Sequence, residues 1–377
     1  MKDSRLEQLA GTLLGHSLQL KSGDIVQIRA SVEAKPLVMA LYRRAAELGL
    51  YLLTQWQDEE ISRQSYDLLD PDRSETADFL KLTSEWEYQR CQDIQGYLTI
   101  RAQSNDRELS GVDPRKLEMT AKAAEKSSDC IINHRQWSLF YWPTPAQAQK
   151  AGKSFEEWFD HVLSVSLVDY DKLSEAEKLL AARMESADQV RISAPGTELS
   201  FSIKGMPAVC CYGRRNVPDG EVYTAPLRES AEGYITYNVP SNQWGQTFEQ
   251  IKLVFSRGRI VEYDCKGPID VLSNIFNSDE GAAYIGEFSF GVNPLIREPM
   301  GSTLFDEKIT GSIHLTPGRA YAKADNGNKS SLHWDLIQIQ RPEYGGGEVW
   351  FDGELIRRDG LFVPECLQAL NPENILG

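Results

Sequence analysis

Five residues in the C-terminal half of the chain have types and spacing that could do chemistry: Glu221, Glu287, His314, His333 and Asp335. They lie in four short segments, NVPDGEVYTAP, IGEFSFGVNP, GSIHLTPGRAY and SLHWDLI. Three carboxylates with two imidazoles suit a pair of divalent metals such as Zn, Co or Mn. Two metals about 4 Å apart activate water for attack on a peptide bond. The charges also balance, because two such ions bring about +4 and three carboxylates with a bridging hydroxide offset it.

Each residue has a plainer reading as well. His333 and Asp335 are two apart, so on a strand their side chains point the same way and converge. The apolar flanks Leu332, Trp334, Leu336 and Ile337 suit such a strand. Taken alone, the pair fits a fold-stabilising hydrogen bond at least as well. His314 sits among small residues in GSIHLTPG, which lets backbone approach closely. The chain has five histidines, and His16, His134 and His161 read as structural or surface residues. Glu287 interrupts the apolar alternation of Phe288 and Phe290, where a buried carboxylate needs a partner. Glu221 follows the turn Pro218-Asp219-Gly220 and opens the strand-like Val222-Tyr223-Thr224. Singly, each glutamate fits a salt-bridged strand position; together the five make a coherent ligand set.

Tyr321, seven residues beyond His314, is placed to donate a hydrogen bond to a tetrahedral oxyanion. Packing is the commoner fate of a tyrosine. Arg228 and Arg319 are nearby cations that could meet a carboxylate or lie on the surface. The chain has no HExxH, GxSxG, Walker A or strand-linked GxGxxG. Cys210-Cys211 beside Arg214-Arg215 is a weak nucleophile signal.

The elements that position these groups fall into two textures. Residues 1–186 alternate strand and helix signals, which predicts an α/β domain with a largely parallel sheet. Asp24–Ala30, Leu50–Trp56 (a buried strand), Tyr97–Ala102 and Trp137–Trp142 read as its strands. Pro36 opens a helix that Gly49 closes, and Asp113-Pro114 begins another. Ser154 with Glu157, and Ser174 with Glu177, have capping-box spacing. Residues 187–377 read as a mainly β catalytic domain, an α+β arrangement with one clear helix at Ile269–Asn277. Pro195-Gly196 turns a hairpin there, and Gly345-Gly346-Gly347 turns between strands.

Composition narrows the partners. With 40 Lys and Arg against 55 Asp and Glu, the net charge of −15 and the lack of a basic run argue against nucleic acid. No stretch approaches the roughly 18 apolar residues of a membrane span. The opening MKDSRLEQLAGTLLGHSLQL has amphipathic-helix spacing rather than that of a signal peptide. Six scattered cysteines without a CxxC fit reduced thiols in a cytosol.

The segments NVPDGEVYTAP, GEFSFGVNP, GSIHLTPGRAY, SLHWDLI and FDGELI, in this order, resemble the thermophilic-type metalloaminopeptidases, the family of aminopeptidases T, S and II. The resemblance is strong over the C-terminal half and looser around LKSGDIVQIRA. It implies a two-metal exopeptidase acting on short peptides, with Glu221, Glu287, His314, His333 and Asp335 as ligands and Tyr321 as the catalytic tyrosine. It also implies a cytoplasmic homodimer with the site facing an enclosed cavity. Thr316-Pro317 and the compact loop Asp325–Ser331 depart from the family pattern and bear on substrate preference. Glu287, ahead of Glu221, would bridge the metals or take the proton, and which group is the base stays open. A metallohydrolase of non-peptide amides, or a binding protein on the same scaffold, are the rival readings.

Overall fold

The computed structural model describes residues 3–105 and 107–377; Met1, Lys2 and Asp106 lie outside the description. The backbone divides into two compact units. The first comprises Met1–Leu167 with Gly213–Pro218, and the second Val168–Tyr212 with Asp219–Gly377.

The first unit is built on a five-stranded sheet in the order Tyr51–Gln57, Ile25–Ser31, Gly96–Arg101, Gln136–Tyr141, Asn216–Val217. Every pairing in it is parallel, as the strand–helix alternation requires. Val26, Ile28, Ala30, Leu98, Ile100 and Phe140 are fully buried. Helix Lys35–Leu48 crosses over between the first two strands, with Pro36 in its first turn and Gly49 closing it at φ 70°. Leu50–Trp56 departs from the buried strand expected of it. Tyr51–Gln57 is the edge strand, paired with Ile25–Ser31, and Tyr51, Leu53 and Trp56 are exposed there. Asp113 caps helix Pro114–His134, and Ser154 with Glu157 forms a complete capping box.

The second unit begins earlier than the texture change at residue 187. Helix Tyr170–Glu185 buries Leu173, Leu180 and Met184 in the second unit's core. Its cap is Asp169, which accepts from Lys172 N, so the expected box at Ser174 and Glu177 does not form. Both residues lie mid-helix and buried.

Two antiparallel sheets make up the rest. The larger has nine strands, and its hairpin Gln189–Ala194 with Thr197–Ser202 turns at Pro195-Gly196. The smaller runs in the order Leu336–Ile339, Ser312–Pro317, Ile285–Gly291, Glu221–Thr224, Val209–Cys211. An aromatic chain welds the two: Phe201–Phe288 at 5.0 Å, Phe288–Phe290 at 5.1 Å and Phe290–Phe351 at 6.1 Å between ring centroids. One face of the smaller sheet is thereby committed to the core. The mixed α/β architecture, parallel first and antiparallel later, is the one read from the sequence. All six cysteines are free. Among the described residues no helix is long and apolar enough to cross a membrane.

Candidate metal centre

Strand alternation places the site. In Ile285–Gly291 every residue is buried. Phe288 and Phe290 face the aromatic core, so Glu287 and Ser289 face the other way. In Ser312–Pro317, Ile313 and Leu315 are core residues and His314 and Thr316 share the Glu287 face. Ser289 pairs with both His314 and Tyr223, and Glu287 pairs with Thr316. Glu221 pairs with Gly291, where a Cβ would lie 2.3 Å from Ile309 O, so the Lys308–Ile309 backbone packs directly against that glycine.

His333-Trp334-Asp335 converges as expected, though not as part of a strand. The regular strand starts at Leu336. His333 is held by an isolated bridge to Gly318. That bridge needs glycine: at φ 110°, a Cβ on Gly318 would lie 2.2 Å from Leu332 O. Trp334 packs inward on Phe248 and Phe276, which turns its two polar neighbours outward together.

The five groups meet as two linked lobes. In one, His314 Nε2 lies 3.0 Å from Glu287 Oε1 and 3.6 Å from Glu221 Oε2. In the other, His333 Nε2 lies 3.8 Å from Glu287 Oε2 and 3.5 Å from Asp335 Oδ1. Glu287 thus offers one oxygen to each histidine. One donor atom each from Glu221, Glu287 and His314 fall within 4.8 Å of one another, close enough to hold one ion.

The donor set fits divalent metals. Glu287 Oε2 is buried without a hydrogen-bond partner, a lone pair with nothing to satisfy it. His333 Nδ1 is 2.8 Å from Arg319 O, which can only accept. The ring proton therefore sits on Nδ1, and Nε2 faces the cluster with its lone pair, the usual arrangement of a metal-ligating histidine. Thr316 Oγ1 donates to Asp335 Oδ1 at 2.6 Å and orients that carboxylate.

Packing these charges together moves their protons. Burial pushes the Glu221 and Glu287 carboxyls up, and Lys308 and His314 respectively oppose it. Burial pulls His314 down, but the Glu287 hydrogen bond and the charges of Glu221, Glu287 and Asp335 win and raise it to about 9. Burial would raise Asp335, yet the two histidines and Thr316 hold it below the usual carboxylate range. Burial also lifts Glu307, to about 7.

These shifts set a pH dependence for the metal-free protein. Groups whose folded pKa is raised stabilise the fold below their unfolded pKa and lose that contribution as pH rises through the folded value. For His314 the window runs from about 6.5 to about 9, and Glu307 adds to the same loss from about 4.5 to about 7. The urea midpoint of chelated protein is expected to fall between pH 6 and 9.5. A flat or rising midpoint would contradict the shared-proton arrangement.

Tyr321 lies against this centre, its ring 4.4 Å from the His333 ring and 5.7 Å from that of Tyr223. Although Tyr321 is 42% exposed as a residue, lost hydration of its hydroxyl, followed by the charges of Asp335, Glu287, Glu307 and Glu221, raises it, so it stays a hydrogen-bond donor. Arg228 turns away: it bonds Asn328 and Glu280 and stacks on Tyr284. Arg319 is exposed and contributes only its carbonyl. Cys211 clusters with Asp219 and Glu221. Burial and these carboxylates push its thiol well up, which removes it as a nucleophile.

Sequence reading passed over Glu307 and Lys308. Lys308 is fully buried, 3.9 Å from both Glu221 Oε1 and Asp219 Oδ1, and paired with Glu307. The available signal was the charged run Asp306-Glu307-Lys308 between Leu304-Phe305 and Ile309, just before the His314 strand.

Residues 2–360 match the family described as thermophilic metalloprotease (M29). Aminopeptidase PepS of Streptococcus thermophilus is 26% identical, with 95% of this chain and 96% of that protein covered. Aminopeptidase T of Thermus aquaticus is also 26% identical over the same shares. The solved structure of wild-type AmpT from Thermus thermophilus superposes with a TM-score of 0.80 at 22% identity, over 96% of this chain and 99% of that one, and so shares the fold. With the family matched across nearly the whole chain, the resemblance read from five short segments is borne out, and this protein belongs to the thermophilic metalloproteases of family M29.

Proposed function

We propose that this metalloprotease is an aminopeptidase that removes N-terminal residues from short peptides with two divalent ions per chain. The observation that carries the reading is Glu287, whose two oxygens address His314 and His333 separately. Glu221 and His314 would hold one ion, His333 and Asp335 the other, with Glu287 between them. Relatives along the full length carry the name aminopeptidase. Bound there, Zn, Co or Mn would polarise the scissile carbonyl and lower the pKa of the attacking water. The protein's own part is to fix Asp335 through Thr316, to set the His333 tautomer through Arg319 O, and to present the Tyr321 hydroxyl to the developing oxyanion. On this reading the protein works as a cytoplasmic homodimer, with a cavity that admits short peptides and excludes folded proteins.

Metal removal tests it. Exhaustive chelation is expected to abolish release of amino acids from aminoacyl p-nitroanilides, and added Co or Zn to restore it. Elemental analysis of the active protein should give close to two ions per chain. Undiminished activity in metal-free protein would end the proposal.

A further inference from the structure

The first unit carries a candidate site of its own. Its sheet places Ile25–Ser31 between Tyr51–Gln57 and Gly96–Arg101, the two strands that follow it in sequence. The chain leaves Ile25–Ser31 on one side and comes back on the other. The loops after Ile25–Ser31 and Gly96–Arg101 therefore diverge, and a crevice opens at the carboxyl ends of those strands, where open parallel sheets bind their ligands. A cavity of about 620 Å³ lies there, lined by Ser31, Ala102 and Gln103 from the two strand ends. Pockets for small organic molecules run from roughly 300 to 1,000 Å³. Ser31 Oγ accepts from Ala102 N at 2.9 Å, which ties the two strand ends together beside it.

Strand alternation decides what faces this space. Val26, Ile28, Ala30, Leu98, Ile100 and Phe140 point into the buried side of the sheet. Arg29, Thr99, Arg101 and Leu139 therefore point to the other side. Helix Pro114–His134 covers that side loosely, for only Ser127 and Cys130 of it are buried. Tyr97, Trp137, Leu139, Ile131 and Ile132 give the cavity an apolar wall that is flat in part.

The charged groups of the lining differ in what they are committed to. Asp58 accepts from Ile61 N at 3.0 Å, and Glu108 accepts from Asn105 Nδ2 at 2.8 Å. Glu59 accepts from Ser104 N at 3.0 Å and Asn105 N at 3.1 Å, so it fills the backbone donors that an outside anion would otherwise use. Arg29 and Arg101 line the same cavity, and neither has a carboxylate partner among the described residues. Arg29 meets the Tyr97 hydroxyl instead. In a chain of net charge −15, the unmet charge at this crevice is positive. Arg29 pairs with Thr99, and Arg101 lies two residues further along that strand. Strand spacing and rise put the two arginine Cα atoms about 8 Å apart on one face. Side chains of that length can close on one anion, and the guanidinium fork matches carboxylate and phosphate alike.

We propose that this crevice binds a small organic anion, a carboxylate or phosphate held between Arg29 and Arg101 on a flat apolar body that lies against Tyr97, Trp137 and Ile131. The site needs neither the metal centre nor the aminopeptidase reading.

The test is calorimetric titration of the full-length protein with two anions, 2-naphthoate and adenosine 5′-monophosphate, and with their neutral counterparts, 2-naphthamide and adenosine. At least one anion is expected to bind at one site per chain with a Kd of about 1 mM or tighter, and its neutral counterpart on the order of tenfold more weakly. Naphthoate alone binding assigns a carboxylate ligand, and the nucleotide alone binding assigns a phosphate. Arg29→Gln and Arg101→Gln should each weaken that anion by on the order of tenfold, the loss of a charge-assisted hydrogen bond, with the thermal unfolding midpoint unchanged. The proposal is overturned if neither anion binds, if the neutral counterparts bind equally well, or if both arginine variants keep full affinity. Should an arginine variant fail to fold, Thr99→Glu decides. It sets a carboxylate between the two guanidiniums and is expected to abolish anion binding, so undiminished binding in that variant refutes the site.

Discussion

Glu287→Gln is expected to reduce peptide hydrolysis to the level of the chelated protein and to lower metal content at both positions. The reason is geometric. Glu287 Oε1 faces His314 at 3.0 Å and Oε2 faces His333 at 3.8 Å, so one substitution removes a charged ligand from each lobe. The amide has nearly the same shape, so the strand it sits on should fold unchanged. His333→Ala supplies the contrast: it touches one lobe and should cost one ion more than the other. Elemental analysis of the two purified variants separates these outcomes. Equal, near-normal metal content in both would mean that the cluster is a structural hydrogen-bond network.

Tyr321→Phe is expected to lower kcat by about 10²- to 10³-fold, the usual loss for one oxyanion donor. Metal content and KM should change little. The ring contacts with His333 and Tyr223 do not need the hydroxyl. An interaction that grows only in the transition state shows in kcat and not in ground-state binding. Steady-state kinetics beside metal analysis check this. Normal kcat would leave Tyr321 a packing residue, and lost metal would make it a support of the His333 imidazole.

Much of this centre was legible because strand periodicity is local. Glu287 between Gly286 and Phe288, and His314 between Ile313 and Leu315, announce a polar face against an apolar one before any tertiary contact is known. The His333–Asp335 convergence was also legible, although its cause is the inward anchor of Trp334 and the Gly318 bridge rather than a regular strand. Other features depend on which segments meet. Leu50–Trp56 has the composition of a buried strand, but sheet order puts it at an edge. Ser174 and Glu177 have capping-box spacing, yet Asp169 starts the helix a turn earlier. Glu307 and Lys308 look like ordinary surface charges in sequence. Only the fold shows Lys308 enclosed by its neighbour Glu307 and by Asp219 and Glu221 from one distant turn.

The short strand Asn216–Val217 has a consequence for modularity. It belongs to the first unit, although residues on both sides of Gly213–Pro218 belong to the second. The polypeptide therefore passes between the units three times, at 167–168, 212–213 and 218–219. Neither unit is a contiguous cassette that could be excised, swapped or expressed by a single cut in the gene. A fragment ending at Leu167 would lack the partner of Leu139 and Phe140, leaving an open sheet edge of the kind that invites aggregation. A proteolytic nick at any one crossing would leave the other two as covalent tethers. The third crossing lies just before Glu221, so the strand that completes the first unit's sheet leads directly into the candidate metal centre of the second.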